Sequence, residues 1–293
     1  MERRTLFAGW VLPAFLVAPQ LAITILFFLF PAWQAFRESV RAANAFGLNT
    51  SFVGLANFAA LLGSAAYRAT VLRTLIYCAA VAALAMAGGL VLATFADREI
   101  RGRAIYRAML ILPYAIAPAI ASVIFTFLLQ PEIGLLTHPL KLLGIDWNYA
   151  LNGGQAFALV ILIGAWKQVA YNFIFYLAGL QSIPRALIEA AALDGARGFT
   201  RFRTIVWPLL MPTTFFLIVV NVVYAAFDTF SLIFALTGGG PGTATETLVV
   251  KVYRDGVINL DLGGSAAQSV ILMALIVGLT AIQFRYVGRR VTT

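Results

Sequence analysis

The 293-residue chain is 61% hydrophobic and only 11% charged. A soluble globular domain carries about 25% charge, so an ordinary soluble domain is excluded and the chain reads as a polytopic membrane protein. Its net charge of +9 is not the footprint of a nucleic-acid binder, because the arginines gather at the ends of apolar runs instead of forming a basic stripe. A single cysteine, Cys78, and a single histidine, His138, exclude an internal disulfide or a Cys/His metal site.

The opening MERRTLFAGW has the charged start of a signal peptide. The apolar run that follows, 10–36, is longer than a signal core of about 7–15 residues, and predicts an uncleaved first span. Its prolines, Pro13, Pro19 and Pro31, are tolerated in a membrane where neighbouring groups satisfy the freed carbonyls. The mixed stretch 37–69 predicts an external loop with an interfacial helix, anchored by the aromatics of FVGLANF at 52–58. Further apolar runs at 71–96, 108–129, 155–180, 209–236 and 265–287 each reach the roughly 20 residues needed to cross a bilayer. The expectation is an all-α polytopic protein, one transmembrane domain over 1–293, with six transmembrane helices and a polar loop at 181–208. Pro113 and Pro118 should bend the third span.

Six spans put both termini on one side. With the N-terminus inside, cytoplasmic segments hold thirteen of the 21 Lys and Arg residues and external segments hold seven, which satisfies the positive-inside rule. The loop at 181–208 then lies in the cytoplasm. The glycine-rich TGGGPG at 237–242 lacks the Lys and Ser/Thr of a phosphate-binding loop and reads as a turn at the outer end of the fifth span.

No catalytic constellation or nucleotide-binding motif is present in the sequence. What remains are charges inside apolar runs: Lys167 in the fourth span and Asp228 in the fifth. Each costs about 2.5–3.5 kcal/mol at the centre of an isolated helix, so each should face the bundle interior or a watery path. At 1.5 Å per residue Lys167 lies about 18 Å and Asp228 about 12 Å below the outer ends of their antiparallel spans, a difference a lysine stem covers. An ion pair between them is expected, either as part of a path or as a structural link. Gln168, Tyr171 and Asn172 share a helix side with Lys167, and Tyr224 and Thr229 lie near Asp228.

Between the fourth and fifth spans, IEAAALDGARGFTRFRTIVWPLLMP at 188–212 places EAA, three residues, Gly195, nine residues, Ile205, two residues and Pro208 in order. Locally, Pro184 opens a short helix, the small run 190–192 permits close approach of another surface, and Gly195 permits the turn that ends it. A second short helix is expected from Thr200 to Trp207. This pattern resembles the EAA loop of ATP-binding cassette importer permeases, with Trp207 where the family usually has Leu. The resemblance implies that Glu189, Ala190, Ala191, Asp194, Gly195 and Ala196 dock on an ATPase subunit. In the maltose-type branch it also implies substrate contacts at or beside Lys167, Gln168, Tyr171, Ala225, Ala226 and Thr229.

Longer segments, LVAPQLAIT, LPYAIAPAIAS, 166–195, VVNVVYAAFDTF and SAAQSVILM, resemble the permeases of sn-glycerol-3-phosphate importers. That likeness implies a bacterial inner-membrane transporter subunit, not an enzyme, that carries no cofactor of its own. Its implied partners are a second permease in a heterodimer, two ATPase subunits holding ATP and Mg, and a periplasmic binding protein, all in a lipid bilayer. Two alternatives stay open, a neutral-sugar permease of the same family and a membrane-embedded enzyme of lipid metabolism. A mid-membrane ammonium argues against the first, and the missing acid/base set against the second.

Overall fold

The computed structural model of the protein describes residues 10–43, 50–97 and 103–286. Arg3, Arg4, Arg98, Arg101, Arg289 and Arg290 of the charge count, and the last residue of the sixth run, lie outside the described residues. Among the described residues, five helices are long and apolar enough to cross a membrane: Val11–Ser39, Ala65–Ala96, Gly153–Gln181, Gly198–Asp228 and Leu262–Arg285. The pair Ile105–Ala115 and Pro118–Leu129 makes a sixth when counted as one broken span. Among the described residues the fold is all-α apart from a two-stranded antiparallel ribbon, β1 (Arg41–Ala43) with β2 (Thr50–Phe52), in which Ala42 faces Ser51.

The chain packs as two compact units, residues 1–64 with 252–271, and residues 65–251 with 272–293. In the first, the helix Val11–Ser39 leaves its large apolar side chains exposed, as a surface solvated by lipid tails requires. A π turn at Ile25–Leu29 leads into Pro31 and absorbs the register shift that a missing N–H imposes. The short helix Ala56–Gly63 follows the ribbon, and Asn57 fastens it by donating to the carbonyls of Ser39 (2.9 Å) and Arg41 (2.8 Å).

The second unit is built on Ala65–Ala96 packed along Gly153–Gln181. Asn152 starts the latter helix by accepting from the N–H groups of Gly154 and Gln155 at 3.0 and 3.1 Å. Between two helices in lipid there is no hydrophobic drive to association, so small residues that let backbones meet carry the contact. Gly89 sits against the backbone of Asn172 and Phe173. Along the seam between these two helices Tyr77, Val81, Ile163, Phe173 and Tyr176 are fully enclosed. Asn172 and Asn221 of Gly198–Asp228 exchange two amide hydrogen bonds at 3.0 and 2.8 Å, and both are completely buried.

The third span breaks where the prolines stand. Pro118 drives Ala117 into an extended conformation (φ −58°, ψ 140°), and the two halves meet at 100°. The half Pro118–Leu129 is held to its neighbours by Ser122 Oγ, which donates to Leu232 O at 2.8 Å, and by the edge-on Phe125–Trp166 pair at 5.2 Å.

One expectation is corrected. The segment 200–207 is not a separate helix, because Gly198–Asp228 runs on through it. A π turn at Phe202–Val206 precedes Pro208, and the displaced register removes the conflict that would otherwise end the helix. The glycine-rich segment behaves as expected, with Gly238 at φ 58° ending Phe230–Thr237 and Thr245 Oγ1 donating to Gly240 O at 3.0 Å.

Candidate functional site

A cavity of about 590 Å³ opens between the broken third span, Gly153–Gln181 and Gly198–Asp228. Apolar wall comes from Ile116, Pro118, Val219, Val220 and Val223, and polar groups from Tyr114, Lys167, Gln168, Tyr171, Tyr224 and Asp228. Its size and its few convergent polar groups on an apolar lining are those of a small-molecule site. Lys167, Gln168 and Tyr171 arrive on one face of a continuous helix. Tyr224 and Asp228 arrive on a π turn, Tyr224–Asp228, a local widening that recurs at functional sites. The Tyr224 hydroxyl is buried with no partner among the described residues, so a donor and acceptor stands ready at the wall.

The other expected path residues stand behind this wall. Asn172 is turned to Asn221, while Ala225, Ala226 and Thr229 are buried, with Thr229 Oγ1 donating to Ala225 O at 2.9 Å. Ala225 and Thr229 therefore shape the helix under the cavity without lining it. Tyr114 and the 115–118 break were not anticipated as wall. Their signal was the spacing of Pro113 and Pro118 around an aromatic.

The expected Lys167–Asp228 pair is not formed. Lys167 Nζ donates instead to Pro113 O at 3.2 Å and to Ile116 O, and Asp228 is exposed to the same cavity. The last carbonyls of a helix have no intrahelical donor and Pro118 brings no N–H, so the break leaves acceptors that a buried ammonium satisfies.

The loop forms a second feature. The helix Arg185–Leu193 ends in a Schellman turn in which Gly195 N–H donates to Ala192 O (3.2 Å) and Ala196 N–H to Ala191 O (2.9 Å), with Gly195 at φ 81°. Glu189, Ala190 and Asp194 are exposed and Ala191 is buried. A cleft of about 540 Å³ lies beside it, where Asp97, Arg107, Arg185, Glu189 and Arg201 converge. Arg107 donates to Ala96 O at 2.8 Å there.

Residues 85–293 match the family model described as binding-protein-dependent transport system inner membrane component. The sn-glycerol-3-phosphate transport system permease protein UgpA of Rhizobium meliloti (strain 1021) is 55% identical over 289 residues, covering 99% of each chain. The protein of the same name from Yersinia enterocolitica is 55% identical over 280 residues, covering 96% of this chain and 95% of its own. A chain of a bacterial alginate ABC transporter, solved in complex with an alginate pentasaccharide-bound periplasmic protein, superposes with a TM-score of 0.80 at 22% identity, over 97% of this chain and 96% of that one. This last likeness speaks to the fold alone. A broken-span helical bundle, two cavities and near full-length kinship converge on one assignment: the chain belongs to the family of binding-protein-dependent transport system inner membrane components, as a multi-pass permease subunit of the inner membrane.

Proposed function

We propose that this permease imports sn-glycerol-3-phosphate, or glycerophosphodiesters that share its glycerophosphate head, across the bacterial inner membrane as part of an ATP-binding cassette transporter. The observation that carries the reading is identity above one half, over almost the whole chain, to permeases of that name. The cavity chemistry supports it. A phosphate monoester carries about −1.5 to −2 charges at pH 7 and needs a cation in a low-dielectric passage. Lys167 supplies a compact ammonium, and Gln168, Tyr171 and Tyr224 supply donors for phosphoryl and hydroxyl oxygens.

In this reading residues 1–293 form one permease domain with both termini in the cytoplasm. It pairs with a second, similar permease and two ATPase subunits, which hold ATP and Mg, and receives substrate from a periplasmic binding protein. The loop around Glu189, Ala190, Ala191, Asp194, Gly195 and Ala196 docks on one ATPase. Its rigid helix passes the closing of the ATPase pair to the spans, and the cavity then alternates between the two sides.

The test is uptake by the reconstituted complex. Labelled sn-glycerol-3-phosphate uptake is expected to be competed by unlabelled glycerol-3-phosphate and glycerophosphocholine, and not by maltose. Competition by maltose alone would move the permease to the neutral-sugar branch. Orientation has its own readout. Cysteines placed at the exposed positions Ser51 and Thr243 should react with a membrane-impermeant thiol reagent in intact spheroplasts, and one at Thr200 should not. The native Cys78 is buried and gives no background. Labelling at Thr200 would reverse the orientation.

A further inference from the structure

The inner half of the third span, Arg103–Ala115, touches both features described above. Tyr114 and Ala115 stand at the cavity, while Arg107 stands in the loop cleft with Arg185, Glu189 and Arg201. Seven residues separate Arg107 from Tyr114, about 10 Å along a helix, so a single rigid segment joins the two sites. The outer half, Pro118–Leu129, is tied to its surroundings through Ser122 and Phe125. At the break Lys167 clasps the end of the first half to the link that follows it: its ammonium holds the carbonyl of Pro113, in the last turn of Arg103–Ala115, and that of Ile116, in the two residues before Pro118. The same ammonium lines the cavity.

We propose that Lys167 is a ligand-released latch on the third span. While the ammonium holds the two carbonyls, the break is fixed at its bend. An anion in the cavity competes for the ammonium, because an anionic oxygen adds a charge–charge attraction that a neutral carbonyl does not offer. The carbonyls then lose their donor, and Arg103–Ala115 is free to change its angle and carry Arg107 with it. Occupancy of the cavity is thereby reported at the cleft beside Glu189. A neutral ligand has no such preference for the ammonium and leaves the latch closed, since a ligand shifts a conformational equilibrium only by its differential affinity for the two states. The inference rests on the anionic-substrate reading for its trigger, and on geometry alone for the clasp.

The experiment places spin labels at the exposed positions Met109 and Phe127, one on each side of the break, in the assembled transporter in lipid nanodiscs. The distance between them is read by pulsed electron paramagnetic resonance. In the otherwise wild-type complex, sn-glycerol-3-phosphate is expected to shift and broaden the distance distribution, and glycerol at equal concentration to leave it unchanged. Lys167→Met should show the released distribution without ligand and no response to it. Lys167→Arg, which can still donate to both carbonyls, should keep the closed distribution. A Lys167→Met distance identical to that of the unaltered chain overturns the latch, whatever the substrate. Absence of glycerol-3-phosphate uptake by the unaltered complex would instead sink the substrate reading, and the ligand-free Lys167→Met distance would still decide the latch.

Discussion

Replacing Gly89 with alanine is expected to remove most of the correctly assembled protein. A Cβ at this position would stand 2.5 Å from Asn172 Cβ and 2.9 Å from both Asn172 C and Phe173 N. The obstacle is the main chain of the facing helix and not the end of a side chain that could swing away. Nor can that helix easily rotate, because Asn172 is held by its double hydrogen bond to Asn221. Turning it would leave the Oδ1 atoms of two buried amides without their donors, at about 1–3 kcal/mol each, even though each Nδ2 keeps a bond to its own helix, at Gln168 O and Leu217 O. Forcing extra carbon into a tight contact costs about 1–3 kcal/mol by itself, so the helices must part and the surrounding packing goes with them. The control is Gly278→Ala, a helical glycine with nothing within 4 Å of the added carbon. It should be neutral or slightly stabilising, since Ala exceeds Gly in helix propensity by about 1 kcal/mol. Yield and thermal stability of the detergent-solubilised complex, followed by size-exclusion chromatography, read the difference. Equal behaviour of the two variants would show that the close approach does not exist.

The second large effect is expected at Gly195 and should spare assembly. Space around this residue is open, and what it contributes is its backbone at φ 81°. A left-handed conformation costs a residue with a Cβ about 1–2 kcal/mol, and a β-branched residue is the least tolerant. Gly195→Val should therefore open the Schellman turn and misplace the helix Arg185–Leu193 while leaving the spans inserted. A free-energy penalty of that size corresponds to about a tenfold loss in the docked, transmitting population. Substrate-stimulated ATP hydrolysis and uptake should fall together by about that factor. The order of activity should be Gly, then Asn, then Ala, then Val, because Asn tolerates the left-handed region better than the others. Wild-type ATPase stimulation and uptake in Gly195→Val would show that this loop does not couple the subunits.

Much of the architecture was open to reading because a bilayer imposes a coarse rule on sequence. Every apolar run longer than about 20 residues has to become a helix when backbone groups cannot be left to water. The runs at 71–96 and 155–180 accordingly fall within Ala65–Ala96 and Gly153–Gln181, and the run at 10–36 lies within Val11–Ser39 except for its first residue. The bend of the third span followed from Pro113 and Pro118, since proline acts on its own neighbours in the chain. The turn at Gly195 was legible for the same reason. The helix assigned to 200–207 was misjudged because a π turn redistributes hydrogen bonds over several residues, and no residue type announces it.

Composition, hydropathy and charge by themselves determined the membrane class, the number of apolar runs, the proline-broken span and the glycine-ended loop helix. Each depends on the residue and its near neighbours, or on transfer to lipid averaged over a window. The tertiary structure alone decided which partner a buried polar group takes. Lys167 and Asp228 invite an ion pair on paper, yet the ammonium goes to the carbonyls of Pro113 and Ile116, 54 and 51 residues away in sequence. Asn172 was grouped with the cavity by periodicity and is instead spent on Asn221. In a medium without water the nearest unsatisfied acceptor wins, and which acceptor is nearest is set by how helices pack.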